Sequence, residues 1–312
     1  MSGRLLFWGT TLAALAAIGV LGFRLHGRTG GVAGVIPISR ESVRFEESVD
    51  LVHFYEPAPH VETPLGPNPP WLDVQPRYTI NADTLNDRFD YAIPKPAGTY
   101  RILVLGDSVT FGIFVSTPEN YSEVLENLLN QRCGGASKFE VLNLGVFGYD
   151  VRYTVERFKR RGVKYEPDLI VWFLQDGNFL KIQELIAERE SRYEGDPGER
   201  ADQARRDILG ELGEEEVFAY QESALRSMAD AYAGVLLVYS PDRRLSGQAE
   251  QALERFTSAH QNVRLYPSNL ALKAAGGLFP DGGHPNAQGQ ALMADDLFGY
   301  LTQNRLIPCS ES

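Results

Sequence analysis

Cysteine is scarce in this chain of 312 residues: only Cys133 and Cys309 occur. Two cysteines so far apart exclude a thiolate zinc motif; they are either a pair formed in an oxidising compartment or two buried thiols. Positive charge is also short. Thirty Lys and Arg face 41 Asp and Glu, a net charge of −11, which argues against a general affinity for nucleic acid or anionic membrane surfaces. Histidine is limited to five positions, so few side chains can serve as a base near neutral pH. No internal repeat is present. What remains is 43% hydrophobic and 23% charged, a globular composition with enough chain for a large core.

The N-terminus carries nineteen residues without a charge, Leu5 to Phe23, between Arg4 and Arg24. That is long enough to span a bilayer, and no small-x-small cleavage site or lipobox cysteine follows it. Residues 1–28 are therefore expected to be an uncleaved membrane anchor, with a cleaved signal peptide as the alternative. Arg24, Arg28, Arg40 and Arg44 outnumber Arg4, which by the positive-inside rule favours a cytoplasmic body. A short N-terminus before one apolar segment is also how exported, anchored enzymes begin, and export is the expectation. Residues 29–77, with Pro57, Pro59 and the Pro64 to Trp71 stretch, are expected to be an extended linker. Trp71, Tyr78, Phe89 and Tyr91 suggest that the second half of residues 29–100 packs on the body, since a bare linker has little use for aromatics.

From residue 78 to 306 the pattern alternates strands and helices. Ile102 to Leu105 is an apolar run broken by Gly106-Asp107-Ser108, as expected of a strand buried on both faces. Ser116-Thr117-Pro118-Glu119 predicts a helix start, and Tyr121, Val124, Leu125, Leu128 and Leu129 form one face. Further strands are predicted at Phe139 to Val146, Leu169 to Leu174, Gly234 to Ser240 and Val263 to Tyr266. The alternation predicts an α/β fold: a three-layer α/β/α sandwich on a doubly wound parallel five-stranded sheet. The charged stretch of about 181–216, with Gly195-Asp196-Pro197-Gly198 in its middle, reads as a helical insertion, either a solvated excursion or a lid.

A serine past the carboxyl end of a parallel strand sits where such sheets place their ligands, but its hydroxyl needs a base. His26 flanks the apolar segment, His53 and His60 lie among turns, and His260 ends a helix. His284 lies in Asp281-Gly282-Gly283-His284-Pro285, just before a C-terminal helix. Asp281, three residues earlier, can orient one ring nitrogen while the other faces a nucleophile. Acyl transfer also needs oxyanion donors: the Ser108 N–H, the Gly145 N–H after the second strand, and an amide within Gln175-Asp176-Gly177-Asn178 after the third.

Together these elements resemble the SGNH (GDSL-type) hydrolase superfamily over most of residues 78–304. The resemblance implies a flavodoxin-like sheet order, Ser108 as nucleophile, Gly145 as the second-block glycine, and Asp281 and His284 as the last-block acid and base. Tyr78-Thr79-Ile80-Asn81 and Lys95-Pro96 before Arg101 are similar to anchored bacterial members. The third block departs: where the family has Gly-x-Asn-Asp, this chain has Leu174-Gln175-Asp176-Gly177-Asn178. Asn178 is the expected donor and Gln175 the alternative. The function so implied is a serine esterase acting on O-acyl groups of an envelope glycan or lipid, with no metal or organic cofactor. An O-acyltransferase using the same acyl-enzyme is one alternative, and a non-catalytic glycan-binding protein on a decayed hydrolase fold is another.

Overall fold

The computed structural model describes residues 43–45, 51–60, 62–63, 72, 74–133, 135, 137–195, 197–241, 245, 247–270, 278 and 283–309. The apolar segment 5–23, Trp71 and Asp281 lie outside these. Among the described residues no helix is long and apolar enough to cross a membrane.

The centre is a parallel sheet of β1 (Thr99–Leu105), β2 (Lys138–Asn143), β3 (Leu169–Phe173), β4 (Val235–Ser240) and β5 (Val263–Pro267), ordered β2-β1-β3-β4-β5. This is the doubly wound α/β/α sandwich that the strand-helix alternation predicts. Ile102 pairs with Val141 on one side and Leu169 on the other, and Leu103 with Leu142 and Ile170. Side chains alternate between faces along each strand, so a continuous apolar run fills two cores. One core holds Leu103, Leu105, Ile170 and Trp172 against α3 (Val151–Arg157), α7 (Glu214–Ala231) and α8 (Gly247–Ala259). The other holds Ile102, Val104, Val171 and Phe173 against α2 (Tyr121–Cys133) and α9 (Ala287–Gln303).

Helix α2 begins later than Ser116 and Thr117 suggest. Those residues open a short turn at Thr117–Glu119, and Asn120 caps α2 by accepting the Glu123 N–H at 2.9 Å. Cys133 at the end of α2 is joined by a disulfide to Cys309 beyond α9, which resolves the choice left open by the sequence.

The linker expected over 29–77 needs correction at residues 51–57. Phe54 and Glu56 are fully buried and Tyr55 nearly so, and the strand Tyr55–Pro57 pairs with Val43–Phe45. Leu51, Phe54 and Tyr55 form a third core with Phe111, Phe147, Tyr149 and Tyr153, over loops at the carboxyl edge of the sheet. The Glu56 carboxylate ties this segment down by ion pairs to Arg157 (2.5 Å) and Arg161 (2.6 Å). Tyr78 packs on the body as expected, whereas Phe89 stays 47% exposed.

The expected insertion is α5 (Gln183–Arg189), a turn at Glu190–Arg192, and α6 (Pro197–Leu212). Ile182, Ile186, Ala204, Ile208 and Val217 give it an apolar core of its own. Glu190 is fully buried, and among the described residues neither carboxylate oxygen has a hydrogen-bond partner. Burial pushes its pKa up to about 8, with Arg200 acting the other way. A raised acid pKa leaves stability intact at low pH and lowers it as pH climbs from the ordinary value of 4.5 towards about 8. The slope in that window is about 1.4 kcal/mol per pH unit. The Glu190→Gln variant should therefore gain thermal stability over the parent progressively between pH 5 and pH 8. A midpoint difference that does not change with pH would show that Glu190 is not held neutral.

Candidate active site

The site grows from the turn after β1. Asp107 caps α1 (Ser108–Phe111), its Oδ1 accepting the Val109 N–H at 3.0 Å. Its Oδ2 accepts from Gln175 Nε2 and Asn178 Nδ2, each at 2.9 Å. Ser108 is thereby set at the carboxyl edge between β1 and β3, where the strand order reverses.

The structure brings Ser108 and His284 together: Nε2 of the ring lies 2.7 Å from Ser108 Oγ. The ring is 6% exposed and stands edge-on to Phe114, at 5.4 Å between centroids. In the neutral ring carrying its proton on Nδ1, Nε2 accepts the serine hydroxyl proton. The loop bearing His284 is locked to the nucleophile's helix through one buried amide. Gln290 Oε1 accepts the Tyr121 N–H at 2.9 Å, and its Nε2 donates to the Val109 carbonyl at 3.1 Å. Asp281, the expected orienting acid, falls outside the described residues.

Two expected oxyanion donors are occupied. The Gly145 N–H donates to Asn143 Oδ1 at 2.9 Å. Gly145 serves close packing instead: a Cβ there would lie 2.5 Å from the Phe111 nitrogen. Asn178 is buried, and its Nδ2 donates to Asp107 Oδ2 and, at 3.2 Å, to the Tyr149 carbonyl. An amide nitrogen has two protons, so none is left for substrate. Gln175, the alternative, is half-buried and donates from Nε2 to Asp107.

The residue that sequence reasoning missed is Gly148. It is the one half-buried position in the otherwise buried run 139–151. Its φ of +78° requires glycine, and Tyr55, whose hydroxyl donates to the Phe147 carbonyl at 2.7 Å, closes the space a Cβ would need. Among the described residues neither the Ser108 nor the Gly148 N–H has a hydrogen-bond partner. Two glycines in Asn143-Leu144-Gly145-Val146-Phe147-Gly148 were visible; which N–H is free depends on the Asn143 side chain.

Ser108, His284, Gly148 and Gln175 thus converge on one edge of a doubly wound sheet, a nucleophile-and-base arrangement. No family model and no curated protein matches the chain. Solved structures with a similar course include the psychrotrophic esterase EstA from Pseudoalteromonas sp., at 15% identity and a TM-score of 0.43 over 66% of this chain and 98% of that one. A two-domain esterase active on acetylated mannans overlaps at 16% identity and a TM-score of 0.46, over 69% of this chain and 53% of that one. Axe2, an acetylxylan esterase from Geobacillus stearothermophilus, gives 15% and 0.44, over 68% and 97%. At such distances the chemistry of this chain has to be read from its own side chains.

Proposed function

We propose that the chain is a serine ester hydrolase of the SGNH type. The observation that carries this is the 2.7 Å contact between Ser108 Oγ and His284 Nε2, beside the partnerless N–H groups of Ser108 and Gly148. Ser108 attacks the ester carbonyl as His284 takes its proton. The developing oxyanion is held by the Ser108 and Gly148 N–H groups, with Gln175 beside them in place of Asn178. His284 then protonates the leaving alkoxide, and water, deprotonated by His284, hydrolyses the acyl-enzyme. Asp281 is assigned to orient the His284 ring.

An active-site-directed fluorophosphonate tests this. Mass spectrometry should find the adduct on Ser108 in the parent protein and no adduct in His284→Ala. Labelling at another residue, or equal labelling of both proteins, would refute the assignment.

The donors are separable. Gln175→Ala is expected to lower kcat by about 10²-fold, the scale of one oxyanion donor, and to lower the melting temperature less than Asn178→Ala does, since it takes one bond from Asp107. Asn178→Ala should lower the melting temperature, because Asp107 Oδ2, the Tyr149 carbonyl and the Gln175 N–H each lose a bond to it. The opposite pattern would return the donor role to Asn178.

Two features support a membrane-anchored, extracytoplasmic body acting on an envelope glycan or lipid ester. One is the Cys133–Cys309 disulfide, since such bonds persist in oxidising compartments. The other is the uncharged stretch of residues 5–23.

A further inference from the structure

Near Asp107, next to the nucleophile, stands a cation, Lys181, that among the described residues has no direct partner. Lys181 follows α4 (Asp176–Phe179), the turn of helix carrying Asn178. Its carbonyl accepts from Gln221 Nε2 at 2.6 Å, and the same nitrogen donates to Asp150 at 3.1 Å, which fixes the backbone next to the Asp150 loop. Ile182 beside it clusters with Ala204 and Ile208 of α6, and Arg205 of the insertion is near enough for its charge to act on Lys181.

Among the described residues the Lys181 ammonium makes no ion pair or hydrogen bond. It lies in the field of Asp107 and Asp150 on one side and Arg205 on the other, and burial lowers its pKa from the ordinary lysine value. Neither acid needs it as a direct partner. Asp107 accepts from Val109 N, Gln175 and Asn178; Asp150 accepts from Tyr153 N, Gln183 N and Gln221. Arg205 is held only loosely, 3.8 Å from Asp202, with its side chain 39% exposed. A half-buried ammonium with no carboxylate in direct contact keeps part of its desolvation cost, and a substrate anion would relieve it.

Resting on the esterase reading above, we propose that Lys181, assisted by Arg205 of the insertion, recognises an anionic substituent of the substrate, a carboxylate or phosphate borne next to the ester. The insertion is then one wall of the substrate site.

Three acetylated methyl glycosides that differ only at C6 test this: a galactoside, a galacturonide and a galactoside 6-phosphate. The parent should favour at least one anionic ester over the neutral one by about tenfold or more in kcat/KM, chiefly through KM. Whichever anion is favoured names the group. Lys181→Gln should lose about tenfold more on that ester than on the neutral one, and Arg205→Gln should shift the ratio the same way by less. An even loss on all three esters with a lower melting temperature would make Lys181 structural and overturn the proposal, as would a parent that favours neither anion. Titration of Ser108→Ala with the de-acetylated galacturonide and 6-phosphate gives a readout independent of turnover. Binding that weakens in the Ser108→Ala, Lys181→Gln double variant supports the proposal even if no ester is cleaved, an outcome that would sink the hydrolase reading alone. Undetectable binding, or binding unchanged by Lys181→Gln, overturns the proposal.

Discussion

Replacing Ser108 by alanine is expected to lower kcat on a short-chain chromogenic ester by about 10⁴- to 10⁶-fold, the range over which nucleophile removal acts when nucleophile and base function as a unit. The upper end corresponds to about 8 kcal/mol of transition-state stabilisation. The fold should not change, because Ser108 is half-buried and Asp107, not Ser108, caps α1. Melting temperature should therefore stay near that of the parent while turnover disappears. His284→Ala should produce a loss of the same order, and the double variant should lose little more than either single one, since each needs the other to act. Equal turnover by Ser108→Ala and the parent would exclude the covalent route.

The second large effect concerns stability. Glu56→Ala should destabilise the protein by about 3–5 kcal/mol, the cost of removing one member of a buried ion pair. Both Glu56 and Arg157 are fully buried, and among the described residues Arg157 keeps only Thr84 as a hydrogen-bond partner once the carboxylate is gone. Burial by itself raises the Glu56 pKa, but Arg157 and Arg161 reverse this and leave it below its ordinary value. The sign of the pH dependence follows. The pair contributes fully above the unfolded carboxylate pKa, and its contribution is lost as pH falls through the lower folded value. Denaturant titrations at pH 7 and at pH 3 should show the gap between parent and variant closing at the lower pH. A constant gap would mean that the charge of Glu56 contributes nothing.

The sheet was legible because the physics behind it is local. Ile102 to Leu105 and Leu169 to Phe173 are continuous apolar runs, and only a strand covered on both faces needs that pattern. Ser108 and His284 were legible because each stands beside residues that break regular structure at a strand end or before a helix. The oxyanion donors were not, because a donor's availability is set by distant partners. Asn178 and Gln175 are both amides in one turn, and Asn178 is drawn inward by the Tyr149 carbonyl, 29 residues away from it in sequence. Gly145 and Gly148 differ through the Asn143 side chain and the Tyr55 hydroxyl. Residues 51–57 read as linker because their partners are loop aromatics, which impose no period. The disulfide was undecidable because Cys133 and Cys309 meet only when α2 and α9 pack together.

Ser108 and His284 are 176 residues apart, and so are Cys133 and Cys309. Each pair joins the first βα unit of the sheet to the chain around α9. On the proposed mechanism the hydroxyl, made well before its base, stays an ordinary alcohol until His284 reaches it. Reactivity on that mechanism needs the segment before α9 to reach Ser108, and the Cys133–Cys309 bond ties the chain beyond that helix to the same βα unit. By the same proposed mechanism, a translation product stopped before His284 would be hydrolytically silent, whatever the state of its sheet.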